Sequence, residues 1–338
     1  MTAVSTLGVG IIGASRVASQ HALAVSTDAR THLVAIADPD TKRAEPIAEQ
    51  YGCEVLSDYR ELLKRPDISV VMIGLPNHLH APVSIEALAA GKHVFVEKPI
   101  ANTLAETDAM LETAAKNSVS VFVGHSQRFF ATTVEARKMV RSGEYGAPIM
   151  ARDVWTKAFD IESRPPWFVD RKRGGGMWLM NGAHMIDRTC WVLGSGVAAV
   201  RGWVGNPIHN ATADDASVAY LHLKNGLTAT LFHAGFKDRG KDQCGVEIVL
   251  SDGMIEFDSY SNRLQVAGNG DYQDIPTERI NPFVAEFVAM IDSITNGTPL
   301  AVPPAWTRHI VAVMLATEES GRTGREVLIP DADYADPD

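Results

Sequence analysis

The chain has 338 residues, 46% hydrophobic and 21% charged, as in an ordinary globular protein. This length suits two domains better than one core. With 31 Lys and Arg against 41 Asp and Glu, the formal net charge is −10, which disfavours nucleic acid and anionic membranes as partners. The three cysteines are scattered and form no CxxC, no secretory signal is visible, and the apolar runs are too short to span a membrane. We therefore expect a soluble, cytoplasmic protein without a disulfide framework.

The first third of the chain alternates short apolar segments with helix-like ones. Strands are predicted over Leu7–Ile12, His32–Ala37, Glu54–Leu56, Ser69–Leu75, His93–Val96 and Val119–Val123. Helices are predicted over Arg16–Val25, Lys42–Tyr51, Tyr59–Lys64, His80–Ala90 and Ala105–Lys116. Continuous apolar strands between helices are typical of a parallel sheet covered on both faces. Residues 1–124 are therefore predicted to form a doubly wound α/β domain.

Beyond residue 124 the pattern changes to closely spaced strands. Helices are predicted over Thr133–Ser142, Met177–Leu193, Pro282–Thr295 and Ala305–Gly321. Strands are predicted over Ile149–Trp155, Val200–Val204, Ser217–Leu223, Leu227–Phe232, Val246–Leu250, Met254–Phe257 and Arg263–Val266. Asn225-Gly226 and Asp252-Gly253 are hairpin signals between pairs of these strands. Residues 125–330 are predicted to form a second α/β domain with a mainly antiparallel sheet, and residues 331–338 a flexible tail.

A glycine turn after the first strand predicts a dinucleotide site. The literal GxGxxG string starts at Gly8, but most of it lies inside the strand. The better register starts at Gly13, at the strand-to-helix turn, where Ser15 is small enough for a pyrophosphate to approach the backbone. The phosphates would then lie at a helix N-terminus, where free N–H groups and the helix dipole favour an anion.

Asp38 ends the second strand, where it can accept hydrogen bonds from a ribose diol. Its charge would repel a 2′-phosphate, so NAD is favoured over NADP, although the nearby cations Arg16, Lys42 and Arg43 keep NADP open. The alternative is that Asp38 is only a turn residue before Pro39. The complete strand–turn–helix–strand–acid pattern favours the cofactor interpretation.

Two further motifs resemble a known enzyme family. The first is Leu75-Pro76-Asn77-His78 followed by Gly91-Lys92-His93-Val94-Phe95-Val96-Glu97-Lys98-Pro99. The second is Gly174-Gly175-Gly176 leading to Gly182-Ala183-His184-Met185-Ile186-Asp187. With the glycine turn, they resemble the glucose–fructose oxidoreductase/inositol dehydrogenase/rhizopine catabolism (Gfo/Idh/MocA) family over nearly the whole chain.

The resemblance implies a Rossmann domain followed by an open-faced sheet domain that often mediates homodimers or homotetramers. It implies an NAD(P)-dependent dehydrogenase that moves hydride between nicotinamide and a carbinol carbon of a sugar, cyclitol or related cyclic alcohol. The expected cofactor contacts are Gly13, Ala14, Ser15, Arg16, Val17, Asp38, Leu75, Pro76, Asn77, His80, Glu97 and Lys98.

The resemblance also implies the acid/base residues. Lys98 is the lysine of the Glu-Lys-Pro motif, and a desolvated lysine can have a depressed pKa suited to proton transfer. Pro99 is a candidate cis proline that would fix the position of Lys98. His184 corresponds to the active-site histidine of the family, and an imidazole pKa near 6.5 suits proton exchange with an alcohol.

At one position the chain departs from the family pattern. The usual aspartate, four residues before the histidine, is Met180 here. Asn181 lies three residues before His184 and can lie beside it on a helix, where it can bind a substrate hydroxyl without taking its proton. We therefore expect Lys98 and His184 to act as the acid/base pair and Asn181 to orient the substrate. Asp187 is interpreted as structural.

Further substrate contacts are expected beside these residues. The candidates are His125 and Arg128, which follow the last Rossmann strand, and Trp155, which could stack on a sugar ring or belong to the core. No metal site is predicted, because His78-Leu79-His80 has no third ligand at a suggestive spacing.

Two alternative functions stay open at this stage. An NAD-dependent glycoside hydrolase would oxidise its sugar transiently and restore the cofactor. A non-catalytic dinucleotide sensor would explain the methionine at position 180.

Overall fold

The computed structural model describes residues 6–330, in which the chain forms two compact units. The first unit holds the residues up to Gly124 together with Phe283–Thr307, and the second holds His125–Pro282 and the chain from Arg308 onward. The sequence analysis placed its boundary at the same residue but assigned residues 283–307 to the second domain. The tail predicted over residues 331–338 lies outside the described residues.

A long-range ion pair helps to attach residues 283–307 to the first unit. Arg30 donates to Asp292 at 2.6 Å, and the same guanidinium binds Asp28 at 2.5 Å. Arg30 and Asp292 are 262 positions apart, so no local pattern in the sequence could reveal this connection.

The first unit is built on a six-stranded parallel sheet. Its strands are β1 (Leu7–Ile12), β2 (Thr31–Ala37), β3 (Glu54–Leu56), β4 (Val70–Ile73), β5 (His93–Glu97) and β6 (Val121–Gly124). Its helices are α1 (Ala18–Thr27), α2 (Thr41–Tyr51), α3 (Tyr59–Leu63), α4 (His80–Ala89), α5 (Leu104–Lys116) and, from later in the chain, α8 (Pro282–Asn296). The strand order is β3-β2-β1-β4-β5-β6, the doubly wound order in which ligands bind beyond the carboxyl ends of β1 and β4.

Burial explains why these short segments form a parallel sheet. All residues of β4 and β6, and all but the first of β1, are buried, as expected for strands covered on both faces. The predicted doubly wound α/β fold is confirmed.

The second unit is built on a nine-stranded sheet. Its strands are β7 (Pro148–Ala158), β8 (Val197–Gly205), β9 (Ala216–Leu223), β10 (Thr228–Phe236), β11 (Gln243–Leu250), β12 (Met254–Asp258), β13 (Arg263–Ala267), β14 (Gln273–Asp274) and β15 (Val327–Leu328). Its helices are α6 (Ala131–Ser142), α7 (Ala183–Leu193) and most of α9 (Pro304–Thr323). The order is β14-β13-β12-β11-β7-β10-β9-β8-β15, and only the β7–β10 pair is parallel. The predicted mainly antiparallel sheet is confirmed.

Alternating burial shows that one face of this sheet is covered and the other open. Buried and exposed residues alternate along β9 from Ser217 to Leu223, and β11 alternates between buried and partly exposed positions. Such alternation marks a sheet with a single core face. No helix among residues 6–330 is long and apolar enough to cross a membrane.

The segment predicted as one helix, Met177–Leu193, has a different start. Trp178–Gly182 forms a π-helical turn, and the regular α7 follows it. The turn is tightly packed, because a Cβ on Gly182 would lie 2.6 Å from the Trp178 indole. Single π turns within helices are frequent at functional sites.

Candidate active site

The turn after β1 has the features of a phosphate-binding loop. Gly13 has a φ of +96°, and a Cβ there would lie 2.6 Å from the carbonyl oxygen of Gly74, so no larger residue fits. The Ser15 hydroxyl is buried without a hydrogen-bond partner among residues 6–330. Gly8 and Gly10 lie inside β1, which confirms that the literal GxGxxG string is not the loop.

Helix α1 begins at the end of this turn. No side chain caps its N-terminus, and its first turn contains no acidic residue. The N–H groups of Ala18 and Gln20 already donate to the carbonyls of Ser15 at 3.0 Å and Val17 at 2.9 Å, so an anion at this turn would be favoured by the helix dipole. The Ser15 hydroxyl can donate to such an anion.

Asp38 lies at the end of β2 and fixes the same turn. Its carboxylate accepts hydrogen bonds from the backbone N–H of Ala14 at 2.8 Å and of Asp40 at 2.9 Å. Each carboxylate oxygen has a further lone pair, so the group can still accept a ribose diol. Arg43 donates to the carbonyl of Ala14 at 2.9 Å and lies 3.9 Å from Asp38, which places one cation at the predicted ribose site.

Lys98 follows β5 and is partly buried. The Lys98–Pro99 peptide bond is cis, as the sequence predicts. Burial lowers the pKa of Lys98, while the negative charges of Glu97 and Glu286 oppose this shift. The lysine therefore combines a desolvated amine with two acidic neighbours.

Glu286 is a functional candidate that the sequence analysis missed. It lies on α8 and is fully buried, on the same face as Phe287, Met290 and Ile291. The only signal in the sequence is a charged residue within an otherwise apolar helix face. A buried carboxylate needs a partner, and the negative charge of Glu286 opposes the lowering of the pKa of Lys98.

Glu97 was expected to contact the cofactor, and the structure pairs it with His21. The imidazole Nε2 of His21 donates to Glu97 Oε1 at 3.1 Å. Burial acts to raise the pKa of Glu97, but the His21 hydrogen bond and the charges of His21 and Lys98 outweigh it and hold that pKa below its ordinary value. Glu97 is therefore an ionised carboxylate next to the amine of Lys98.

His80 was also expected to contact the cofactor, and the structure places its ring nitrogens against two backbone carbonyls. Its ring is 1% exposed, with Nδ1 2.7 Å from the carbonyl oxygen of Pro99 and Nε2 2.8 Å from that of Leu75. Burial lowers the pKa of His80, and the neutral ring has a single N–H that donates to one of these two carbonyls. His80 links the loop after β4 to the loop that carries Lys98.

The remaining expected cofactor contacts lie at the ends of β1 and β4. Arg16 is exposed, Leu75 and Pro76 are partly exposed, and Asn77 is buried at the start of a short 3₁₀ turn. All of them belong to the edge of the sheet where a doubly wound fold binds its ligand.

In the second unit, three predicted substrate contacts lie together. His184, in the first turn of α7, is 6% exposed. Its ring centroid lies 6.1 Å from that of Trp155 and 6.2 Å from that of His125. The sequence separates these residues by up to 59 positions, and the fold makes them neighbours.

Asn181 does not lie free beside His184. Its amide Nδ2 donates to Nε2 of His233 at 2.9 Å. Burial, aided by the charges of Lys157 and Arg188, lowers the pKa of His233 to about 3, so this imidazole is neutral and can accept. His233 also lies edge-on to Trp155, with centroids 6.2 Å apart, which adds it to the cluster although the sequence analysis did not name it.

Met180 occupies an apolar environment. It packs against the buried cluster of Phe159, Phe168 and Met177. A carboxylate at this position would lie against apolar side chains, although the Arg164 guanidinium lies 5.3 Å and 5.2 Å from the ring centres of Phe159 and Phe168. The acid/base chemistry of this chain therefore has no carboxylate at position 180.

Arg128 was expected to bind substrate, and the structure pairs it with Asp187. Its side chain is 2% exposed and binds Asp187 at 2.5 Å. The guanidinium also lies 5.1 Å from the centre of the Trp191 ring. This buried pair stabilises α7, and it confirms that Asp187 is structural.

A second buried ion pair supports Trp155. Arg188 donates to both oxygens of Asp153 at 2.5 and 2.7 Å, and Thr189 donates to the same carboxylate at 2.9 Å. The Arg188 guanidinium lies 5.3 Å from the centre of the Trp155 ring. Because both charges are fully buried and paired, they hold the indole in one position.

Asp214 anchors the start of the segment that carries Asn181 and His184. Its Oδ2 accepts from the backbone N–H of Trp178 at 2.7 Å, and its Oδ1 has no partner among the described residues. Burial raises the pKa of Asp214 to about 7, against the effect of the Trp178 hydrogen bond. Gly176 leaves room for this carboxylate, since a Cβ there would lie 2.1 Å from Oδ1.

Comparison with known proteins agrees with this geometry. Residues 7–125 match the model of an oxidoreductase family with an NAD-binding Rossmann fold, and residues 133–256 match the Gfo/Idh/MocA C-terminal domain. The chain is 31% identical over 255 residues to the uncharacterized oxidoreductase YrbE of Bacillus subtilis, which covers 74% of this chain and 73% of that protein.

Two further similarities extend over nearly the whole chain. Identity to the scyllo-inositol 2-dehydrogenase (NAD(+)) of Bacillus subtilis is 29% over 332 residues, 94% of this chain and 95% of that enzyme. The crystal structure of an oxidoreductase domain protein from Kribbella flavida superposes with a TM-score of 0.87 at 26% identity, covering 97% of this chain and 100% of that one.

Proposed function

The chain belongs to the Gfo/Idh/MocA family of NAD-binding oxidoreductases, and we propose that it oxidises a ring carbinol of a cyclitol or sugar with NAD. The observation that carries this proposal is Lys98, a partly buried amine beside Glu97 and Glu286 at the carboxyl edge of the sheet. The similarity to a scyllo-inositol 2-dehydrogenase supports a cyclitol or sugar as the substrate.

Asp38 supports NAD as the cofactor. It fixes the glycine turn through the N–H of Ala14 and presents a negative charge where a 2′-phosphate would lie. The exposed Arg43 beside it reduces this repulsion. NAD is therefore preferred, and NADP is the weaker ligand.

Proton transfer is assigned to Lys98 and His184. When bound, the nicotinamide accepts the hydride that the carbinol carbon gives up. Burial lowers the pKa of Lys98, so more of it is the neutral amine near neutral pH, ready to take the hydroxyl proton. His184, beside Trp155 and His125, is the second group assigned to proton transfer, because an imidazole can both donate and accept a proton.

Asn181 and Trp155 are assigned to substrate orientation. The amide nitrogen of Asn181 is held by His233, which fixes the direction of its oxygen as an acceptor for a substrate hydroxyl. The guanidinium of Arg188 packs against the ring of Trp155, so the indole offers a rigid apolar surface. Rigid positioning of this kind lowers the entropic barrier to reaction.

We infer that a second copy of the chain covers the open face of the nine-stranded sheet. Trp203, Val218 and Phe232 lie opposite one another on β8, β9 and β10. They are 44%, 37% and 48% exposed, and such an apolar patch favours an interface. The cysteines are free thiols, which supports the expected cytoplasmic location.

A turnover screen tests the proposed function. Purified protein is incubated with NAD or NADP and a panel of cyclitols, sugars, sugar acids and cyclic diols, and reduced nicotinamide is followed by absorbance. We expect reduction of NAD with at least one ring alcohol, and a loss of about 10²–10⁴-fold in kcat for Lys98→Ala and for His184→Ala. Lys116→Ala, an exposed lysine on α5, is the matched control and retains activity.

The same screen separates the alternative functions. Release of a glycoside without net reduction of NAD would replace the dehydrogenase by an enzyme that oxidises its sugar transiently. NAD binding without turnover of any compound, unaffected by Lys98→Ala, would indicate a sensor.

A further inference from the structure

The second unit contains a cavity next to the predicted substrate residues. The roles proposed for those residues do not account for it. Its volume is about 290 Å³, near the lower end of the range of ligand sites. It opens where β7, β11 and the turn after β12 meet, and its walls include Trp155, Lys157, Asp242, Asp258 and Tyr260.

Two carboxylates in the wall are held in fixed directions by backbone amides. Asp258 accepts from the N–H of Ser261 at 2.8 Å and of Cys244 at 3.2 Å. Asp242 accepts from the N–H of Ala158 at 2.9 Å. Each carboxylate has further lone pairs, so both can accept hydroxyl groups without a rearrangement of the loops.

The wall also contains an aromatic corner. The rings of Tyr260 and Trp155 meet edge to face, with centroids 5.7 Å apart and planes at 71°. Tyr260 is 61% exposed, an unusually open position for a large aromatic side chain. The apolar C–H face of a sugar ring can pack against such a ring, while its hydroxyls reach the neighbouring carboxylates.

The cavity is connected to the reaction site through one side chain. Trp155 lines the cavity and lies 6.1 Å from His184, measured between ring centroids. A group bound in the cavity is therefore about one ring away from a group bound at His184. Two fixed carboxylates against one lysine favour a neutral hydroxylated ring over an anionic one.

We propose that this cavity is a subsite for a second, neutral sugar ring, so that the preferred substrate is a disaccharide or glycoside whose first ring reacts at His184. This inference rests on the proposed function, because it assumes that the first ring is oxidised there. It adds two-ring substrates to the proposed function, because a single-ring polyol would not need a second subsite.

The experiment compares substrates with one and two rings. For each single-ring sugar that reduces NAD in the screen, kcat/KM is measured together with that of a neutral disaccharide and a uronic acid disaccharide that carry the same reacting ring. We expect the neutral second ring to raise kcat/KM at least tenfold and the uronic acid to raise it less. Titration calorimetry with NADH-saturated protein measures the same difference as binding, without turnover.

Variants of the aromatic corner locate the effect. In Tyr260→Ala the ratio of two-ring to one-ring kcat/KM is expected to fall towards one, and in Tyr260→Phe it is retained because the ring remains. Tyr272→Ala, another partly exposed tyrosine of the second unit, is the matched control and leaves the ratio unchanged.

The possible outcomes separate the two proposals. Turnover of single-ring sugars with a ratio near one in the unmodified protein overturns the subsite and leaves the proposed function intact. A ratio that stays high in Tyr260→Ala also overturns this location for the second ring. Absence of NAD reduction with every compound overturns the proposed function itself.

Discussion

Replacement of Asp214 by asparagine isolates the effect of one buried carboxyl group on stability. Asp214 Oδ2 accepts from the N–H of Trp178 at 2.7 Å, and the carbonyl oxygen of an asparagine can accept the same hydrogen bond. What Asp214→Asn removes is the ability to ionise. The substitution therefore changes the pH dependence of folding while retaining the hydrogen bond that begins the His184 segment.

The sign and size of the effect follow from the pKa. Burial raises the pKa of Asp214 from 3.8 to about 7. Between pH 5 and pH 7 the unfolded chain carries this group ionised while the folded protein keeps it protonated, so stability is lost as the pH rises through this window. At about 1.4 kcal/mol per pH unit, the loss is about 3 kcal/mol. It is absent below pH 4 and does not grow further above the folded pKa.

The assay is urea unfolding at pH 5, 6, 7 and 8, followed by tryptophan fluorescence. Five of the six tryptophans report on the second unit, namely Trp155, Trp167, Trp178, Trp191 and Trp203. We expect the unmodified protein to lose about 3 kcal/mol more than Asp214→Asn between pH 5 and pH 8. Any constant cost of the new amide cancels in this difference.

The control is Asp238→Asn, which removes one charge from an exposed loop of the same unit and should follow the unmodified protein at every pH. Parallel curves for the unmodified protein and Asp214→Asn would refute the reasoning, because they would show that Asp214 ionises equally in the folded and unfolded states. A larger loss in the variant would reverse the sign and refute it as well.

Three further predictions concern the cofactor and the reacting groups. Asp38→Ser should weaken NAD binding about tenfold, a change of about 1.4 kcal/mol, and should leave NADP binding unchanged or tighter. Calorimetry measures both affinities, and equal losses for the two cofactors would contradict the role of Asp38 at the ribose. His80→Leu should lower kcat more than it raises the Kd of NAD, because the buried carbonyl that accepts from the neutral imidazole loses its donor at roughly 1–3 kcal/mol and the loop of Lys98 is released. His80→Gln, whose amide can donate, should recover part of the activity, and unchanged kcat in His80→Leu would disprove the link. Met180→Asp should destabilise the protein by roughly 2–4 kcal/mol at pH 7 without raising kcat, since it places a carboxylate against an aromatic cluster. Chemical denaturation measures the stability and steady-state kinetics measures kcat. A gain in kcat would show that the site accepts the family aspartate.

Much of the fold could be read from local patterns. The strands Leu7–Ile12 and Glu54–Leu56 have the predicted bounds, and Gly13 and Asp38 lie at the turn for which the sequence predicts the cofactor site. Local patterns succeed here because a parallel strand buried on both faces must be continuously apolar, and because a tight turn with positive φ requires glycine.

The sequence by itself determined the two kinds of sheet, and it predicts the cofactor turn and, through a family resemblance, Lys98 and His184 as the reacting groups. Only the tertiary structure decided which charged and polar side chains are paired with other groups of the protein. Arg128 is paired with Asp187 and the His80 ring lies against two carbonyls, whereas the charge of Glu286 acts on the pKa of Lys98. The physical reason is that a charged or polar side chain acts through its partners, and these partners come from segments far apart in the chain that only folding brings within a few ångströms of one another.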